Sequence, residues 1–120
     1  MTPGATIHVD VFKLPHHGSE NNAAPSLFER VKADHYVVCA DGIQHPHPSK
    51  STLEWLVLSR APHEAYTIHL TNHIRTAEAV LDQLSVGRSF GVSVGQPNVT
   101  ITLNDNPRTF QLTSHAAYSL

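Results

Sequence analysis

The chain has 120 residues and a formal net charge of −2, with 40% hydrophobic and 15% charged residues, which is one domain's length of globular composition. Eight Lys+Arg form no cluster, which disfavours binding to nucleic acid by charge neutralisation alone, and the single cysteine, Cys39, excludes a disulfide framework and a Cys-based zinc finger. No apolar run approaches the roughly 20 residues of a membrane span and the start carries no signal peptide, so a cytoplasmic protein that does not enter membranes is expected.

Taken in chain order, Ile7 to Phe12 alternates in character and is rich in β-branched residues, which predicts a strand ended by Pro15. Pro25 suits a first helical turn, and Leu27, Phe28 and Val31 predict the apolar face of a helix over about 25–33. Tyr36 to Ala40 is a short continuous apolar run and reads as a buried strand, with Cys39 packed as a small hydrophobe. Ser51 and Glu54 fit a capping box opening a helix whose buried stripe is Leu53, Leu56 and Val57, with Pro62 as its end. Tyr66 to Leu70 predicts a third strand. Asn72 is then placed to cap a helix carrying Ala77, Val80, Leu81 and Leu84, with Gly87 as its stop. Residues 7–86 thus read β-α-β-α-β-α, the pattern of a parallel sheet with crossover helices. Beyond Gly87, the runs Phe90-Val92-Val94, Val99-Ile101-Leu103 and Phe110-Leu112 alternate between turn clusters and predict a short antiparallel β meander over 87–120. The expectation is one α/β domain over 1–120, with this β extension at its end.

Histidine is in excess: there are ten, where an even share among twenty residue types would give about six. No terminal run suggests a tag. Four stand in two tight pairs, His16-His17 and His45-Pro46-His47, and both pairs directly follow predicted parallel strands. Open α/β sheets bind ligands outside the carboxyl ends of their strands, so two independent placements aim imidazoles at one rim. Imidazole is a common zinc or manganese ligand, and Gly18 would let the backbone approach a bound group. The alternative is that His16 and His17 are polar loop residues that cap nearby carbonyls. The other histidines carry no such signal. His63-Glu64 opens a zincin-like pattern, but Thr67 stands where its second histidine belongs. His69 and His73 straddle a predicted strand end and read as surface or structural. Asn98-Val99-Thr100 matches a glycosylation sequon without a secretory signal to give it meaning.

The segment Asp10 to Ser19, DVFKLPHHGS, resembles the late D-V-L-K-x-P-H-H-G-S motif of the metallo-β-lactamase-like hydrolases, in the branch of the competence-type DNA-internalisation proteins. Gly42 to Pro48, GIQHPHP, is similar to that branch's G-H-P-H-P loop, and the order of elements agrees over roughly residues 7–84. The resemblance implies the C-terminal half of an αββα sandwich and a two-metal site holding zinc or sometimes manganese. It implies His16 as the first metal ligand, with His17 substituting for it or lining the site. His47 or His45 would hydrogen-bond the scissile phosphate or carbonyl of a phosphodiester or related ester, such as a nucleic acid. It further implies that Asp10 holds the strand end and that Lys13 and Ser19 line the surroundings. The family's upstream H-x-H-x-D-H motif and bridging aspartate do not occur in this sequence. A catalytic zinc takes about three protein ligands, more than the matched positions supply. A half sandwich would leave one sheet face apolar, so a cover is expected on it: an N-terminal half-domain, a second copy, giving a homo-oligomer, or the meander at 90–113 folding over it, with self-association expected. Two functions follow. One is the C-terminal portion of a metal-dependent hydrolase; the other is a non-catalytic dimerisation or partner-binding module that keeps a vestigial or shared metal site.

Overall fold

The computed structural model describes residues 6–14, 25–39, 48–95, 98–103 and 106–111. Its elements run β1 (Ile7–Lys13), α1 (Pro25–Arg30), β2 (Val31–Val38), α2 (Lys50–Leu58), β3 (Thr67–Leu70), α3 (Arg75–Leu84), β4 (Gly91–Val94), β5 (Asn98–Leu103) and β6 (Asn106–Gln111). Strands β1 to β4 form one sheet in sequence order, every neighbouring pair parallel, while β5 and β6 pair with each other as a separate antiparallel hairpin.

Because side chains alternate across a strand, register decides which residues share a face. Phe12, Tyr36, Ile68 and Val92 are aligned across β1 to β4, and Phe12 stacks on Phe28 of α1 with ring centroids 6.3 Å apart. Each parallel connection crosses over with the same hand, which puts all three helices on this face. There α1 packs against α2 and α2 against α3. Phe28, Tyr36, Val38, Leu53, Leu56, Val57, Ile68, Leu70 and Leu81 are wholly buried between the layers, and Trp55 and Val80 pack around them. The opposite face carries Val9, Val11, Val31, Ala33, His35, Val37, Thr67, His69 and Ser93 by the same alternation, and no described helix lies against it.

Several local expectations are corrected. The helix expected over 25–33 ends at Arg30, because Val31 pairs with Ile7 in register and so opens β2; sheet pairing overrides the helical spacing of Leu27, Phe28 and Val31. The antiparallel meander does not form. Its first run joins the parallel sheet as β4, since the crossover through α3 returns the chain beside β3 in the same direction, and alternation alone specifies neither partner nor direction. The parallel sheet therefore extends beyond residue 87, and only the β5–β6 hairpin keeps the antiparallel character; Leu112 lies outside the described residues.

Capping also differs. The α2 cap is Ser49 rather than Ser51: its Oγ accepts from the Thr52 N–H at 3.2 Å, so Glu54 sits two positions too far along to close a box. Ser49→Ala is expected to lower stability by about 1 kcal/mol, read as a shifted urea midpoint with an unchanged slope. The same helix ends at Leu58, ahead of Pro62. Ile74, not Asn72, occupies the α3 N-cap, without a side-chain bond, and α3 closes at Ser85 before Gly87 turns with φ 73°.

Candidate functional site

Two chain exits lie side by side. The Leu14 N–H donates to the Val37 carbonyl at 2.9 Å, and Lys13 is in register with Val37, so β1 and β2 deliver the following residues from the same rim of adjacent parallel strands. Both histidine pairs belong to the segments that follow, 15–24 and 40–47. His16, His17, His45 and His47, with Gly18 and Ser19, lie outside the described residues. Of the motif's earlier positions, Asp10 and Lys13 are exposed on β1.

At the opposite rim, one buried cation ties the strand entries together. Arg60, just beyond α2, is 5% exposed. Its Nη1 donates to the Ala33 carbonyl at 2.7 Å and to the Tyr36 hydroxyl at 2.9 Å, while Nε donates to Glu64 Oε2 at 2.6 Å. The guanidinium lies 4.4 Å from the centre of the Tyr66 ring, which itself stacks on Phe90. Burial alone would lower the Arg60 pKa, but the bonds to Glu64 and Tyr36 outweigh it and hold it above its ordinary value. The Ala61 N–H and then Arg60 pull the Glu64 carboxyl below its usual range. This network joins β2, α2 and the entry to β3, and Arg88 extends it by donating to the Arg60 and Val57 carbonyls. Arg60 and Glu64 are engaged within this cluster, while the Tyr66 hydroxyl is buried without a hydrogen-bond partner among the described residues.

The helix-free face holds a pair that the sequence did not suggest. His35 of β2 and His69 of β3 stack with ring centroids 5.1 Å apart, and His35 Nδ1 meets His69 Nε2 at 2.9 Å. His69 is 5% exposed, whereas His35 is half-buried. A hydrogen bond between two neutral imidazoles needs one N–H and one lone pair, so each ring is held in a defined tautomer. Whichever ring donates, His69 Nδ1 is buried without a hydrogen-bond partner among the described residues. Burial, and next the neighbouring His35, push the His69 pKa down to about 4, so this ring is neutral at pH 7. Before strands were paired, nothing linked two histidines 34 positions apart. The available signal was that both fall on alternate positions of neighbouring strands, in register at Val37↔His69 and His35↔Thr67.

The other described histidines are peripheral. His8 meets Asp34 at 2.9 Å with both side chains more than half exposed, and His73 stands 3.4 Å from Glu78 with its own side chain 78% exposed. Among the described residues, no three His, Cys, Asp or Glu side chains come together as a metal site requires. The His35–His69 pair does not fit a catalytic zinc either. Its facing nitrogens already bond each other, and no carboxylate or thiol among the described residues joins them.

Among the described residues, no helix is long and apolar enough to cross a membrane. No family model matches the chain, and no solved structure matches it. A stretch of 58 residues is 34% identical to human Microtubule-associated protein 1A. That stretch is 48% of this chain and 2% of the length of the human protein.

Proposed function

We propose that the chain is the C-terminal portion of a metal-dependent hydrolase of the metallo-β-lactamase-like kind, acting on a phosphodiester or related ester. One observation carries this reading: the segments with His16-His17 and His45-Pro46-His47 follow the carboxyl ends of two adjacent parallel strands, at the rim where open α/β sheets bind ligands. A four-stranded parallel sheet with its helices against one face supports the half-sandwich form of the reading. In it, His16 and His17 are the ligands for zinc or manganese. His45 or His47 donates a ring N–H to an anionic oxygen of the substrate, where charge develops during ester cleavage. When bound, the metal supplies Lewis-acid polarisation. The donors still lacking come from an N-terminal half-domain or a second copy, placed beside the β1–β2 rim rather than over the centre of the helix-free face, where Ala33, Val37 and His69 are already buried within the chain. The described residues contribute position: β1 and β2 fix the spacing of the two segments, and the Arg60 network holds the far rim rigid.

The full chain, dialysed against micromolar zinc and analysed by elemental mass spectrometry beside His16→Ala and His17→Ala, tests this. Zinc retained by the parent and lost in either variant is expected, with little hydrolysis of a nitrophenyl phosphodiester. Equal zinc in all three forms, or none in any, would overturn the metal assignment. Strong phosphodiesterase activity of the chain alone would overturn the need for another half.

The likeness to a protein named for association with microtubules favours a second reading, in which the domain is a non-catalytic partner-binding module. The same experiment separates the two, because the module predicts a folded chain whose metal content and fold are indifferent to His16 and His17.

A further inference from the structure

The sheet ends at β4, and this edge has three properties that converge. First, its backbone is half unused. The Gly91 and Gly95 N–H groups donate to the Tyr66 and Leu70 carbonyls at 2.9 and 2.8 Å. In a parallel pair, alternate residues bond one neighbour, so the N–H and C=O of Val92 and Val94 point away from β3. No described strand pairs there. Second, the edge borders a groove of about 520 Å³ between β4 and α3, floored by Leu81, Phe90, Val92 and Val94. Val92 is 42% exposed, although its side chain shares the helix-covered face of the sheet. Third, the rim of that groove carries two carboxylates. Glu78 and Asp82, four residues apart on α3, both line it; the exposed His73 ring stands 3.4 Å from Glu78, and Arg75 precedes Glu78 by one turn on the same helix without lining the groove.

We infer that the β4 edge and the α3 groove together dock an extended basic peptide from another polypeptide, which adds to the sheet as a fifth strand. An added strand satisfies the outward groups of Val92 and Val94 and projects alternate side chains into the groove. A Lys or Arg at such a position lays its aliphatic stem over Leu81 and Val92 while its charge reaches Glu78 and Asp82. A valine at the next groove-facing position covers Phe90. A second copy pairing through its own β4 would set two acidic α3 rims against each other, so charge selects a basic peptide over self-pairing. This edge is separate from the β1–β2 rim, and the inference stands whether or not metal is bound there.

The probe is a fluorescein-labelled peptide of alternating threonine with lysine or valine, Thr-Lys-Thr-Val-Thr-Lys-Thr, read by anisotropy against the full chain at low salt. Its control replaces both lysines by glutamate. Saturable binding of the basic peptide at micromolar to sub-millimolar concentration is expected, at least tenfold tighter than the acidic control, since complementary charge and strand addition act together. Asp82→Lys is expected to weaken it roughly tenfold. Val92→Pro removes an outward N–H that β3 does not use, a position where an edge strand accepts proline, and it is expected to abolish binding while far-ultraviolet circular dichroism is kept. If Val92→Pro disturbs the fold, Val94→Pro tests the next outward N–H in the same way. Equal binding of basic and acidic peptides overturns the inference, as does binding that survives a folded proline variant or no binding at 1 mM peptide. A dimer in sedimentation that Val92→Pro converts to monomer also overturns it, in favour of a second copy.

Discussion

Arg60→Met is expected to destabilise the fold by about 3 kcal/mol, the largest effect of any single polar substitution among the described residues. Methionine keeps most of the apolar stem but removes the guanidinium, leaving the Ala33 carbonyl and the Tyr36 hydroxyl with their principal donor gone in a buried setting. Glu64 loses a partner too, but its side chain is 34% exposed and turns to water at smaller cost. Lysine is not expected to rescue the position, because a single ammonium cannot meet Glu64, Ala33 and Tyr36 from the directions that a planar fork reaches, nor lie flat on Tyr66. Urea unfolding of the parent, Arg60→Met and Arg60→Lys measures this. A loss below about 0.5 kcal/mol in both variants would mean that the network is incidental to stability.

The second large effect is a loss of stability in mild acid that passes through His69. Its pKa in the folded chain is about 4, against 6.5 for the free side chain. Between these values the unfolded chain binds more protons than the folded one, so stability falls as pH is lowered. Above pH 6.5 the contribution is complete, and below pH 4 it is gone. A shift of this size corresponds to about 3 kcal/mol across the window. His69→Asn, which does not titrate, is expected to start from lower stability at pH 7.5 and to fall less steeply from pH 6.5 to 4. Thermal melting at closely spaced pH values gives the comparison. Parallel pH profiles for parent and variant would show that the buried ring is not what senses acid.

Much of the first three strand–helix units is legible in the sequence, because each element carries its own period: β-branched alternation at Ile7–Phe12, an apolar run at Tyr36, an i, i+3, i+4 stripe at Ala77, Val80 and Leu81. The elements that sequence misjudges are those decided by a distant partner. Val31 looks helical beside Leu27 and Phe28, yet Ile7 claims it for a strand. Val92 and Val94 alternate as an antiparallel meander would, yet α3 returns them parallel to β3. The His35–His69 pair is invisible for the same reason, since neither residue has a local pattern and their meeting depends on the register of β2 with β3. Conversely, the histidines that do have a local pattern, His16, His17, His45 and His47, stand in segments whose neighbours alone are described. Arg60 is missed because a lone arginine after a helix reads as solvated; only the three acceptors and the ring around it reveal its burial.

Strand order bears on how the molecule is made. Paired positions in the sheet are 24, 32 and 24 residues apart, as in Ile7↔Val31, His35↔Thr67 and Thr67↔Gly91. Each strand can therefore be added to a growing edge as it leaves the ribosome, without a later segment having to wedge between two strands already in place. Ring closures of nearly equal length keep the entropic penalty of each addition similar, so this topology allows the sheet to grow in the direction of translation by repeating one step.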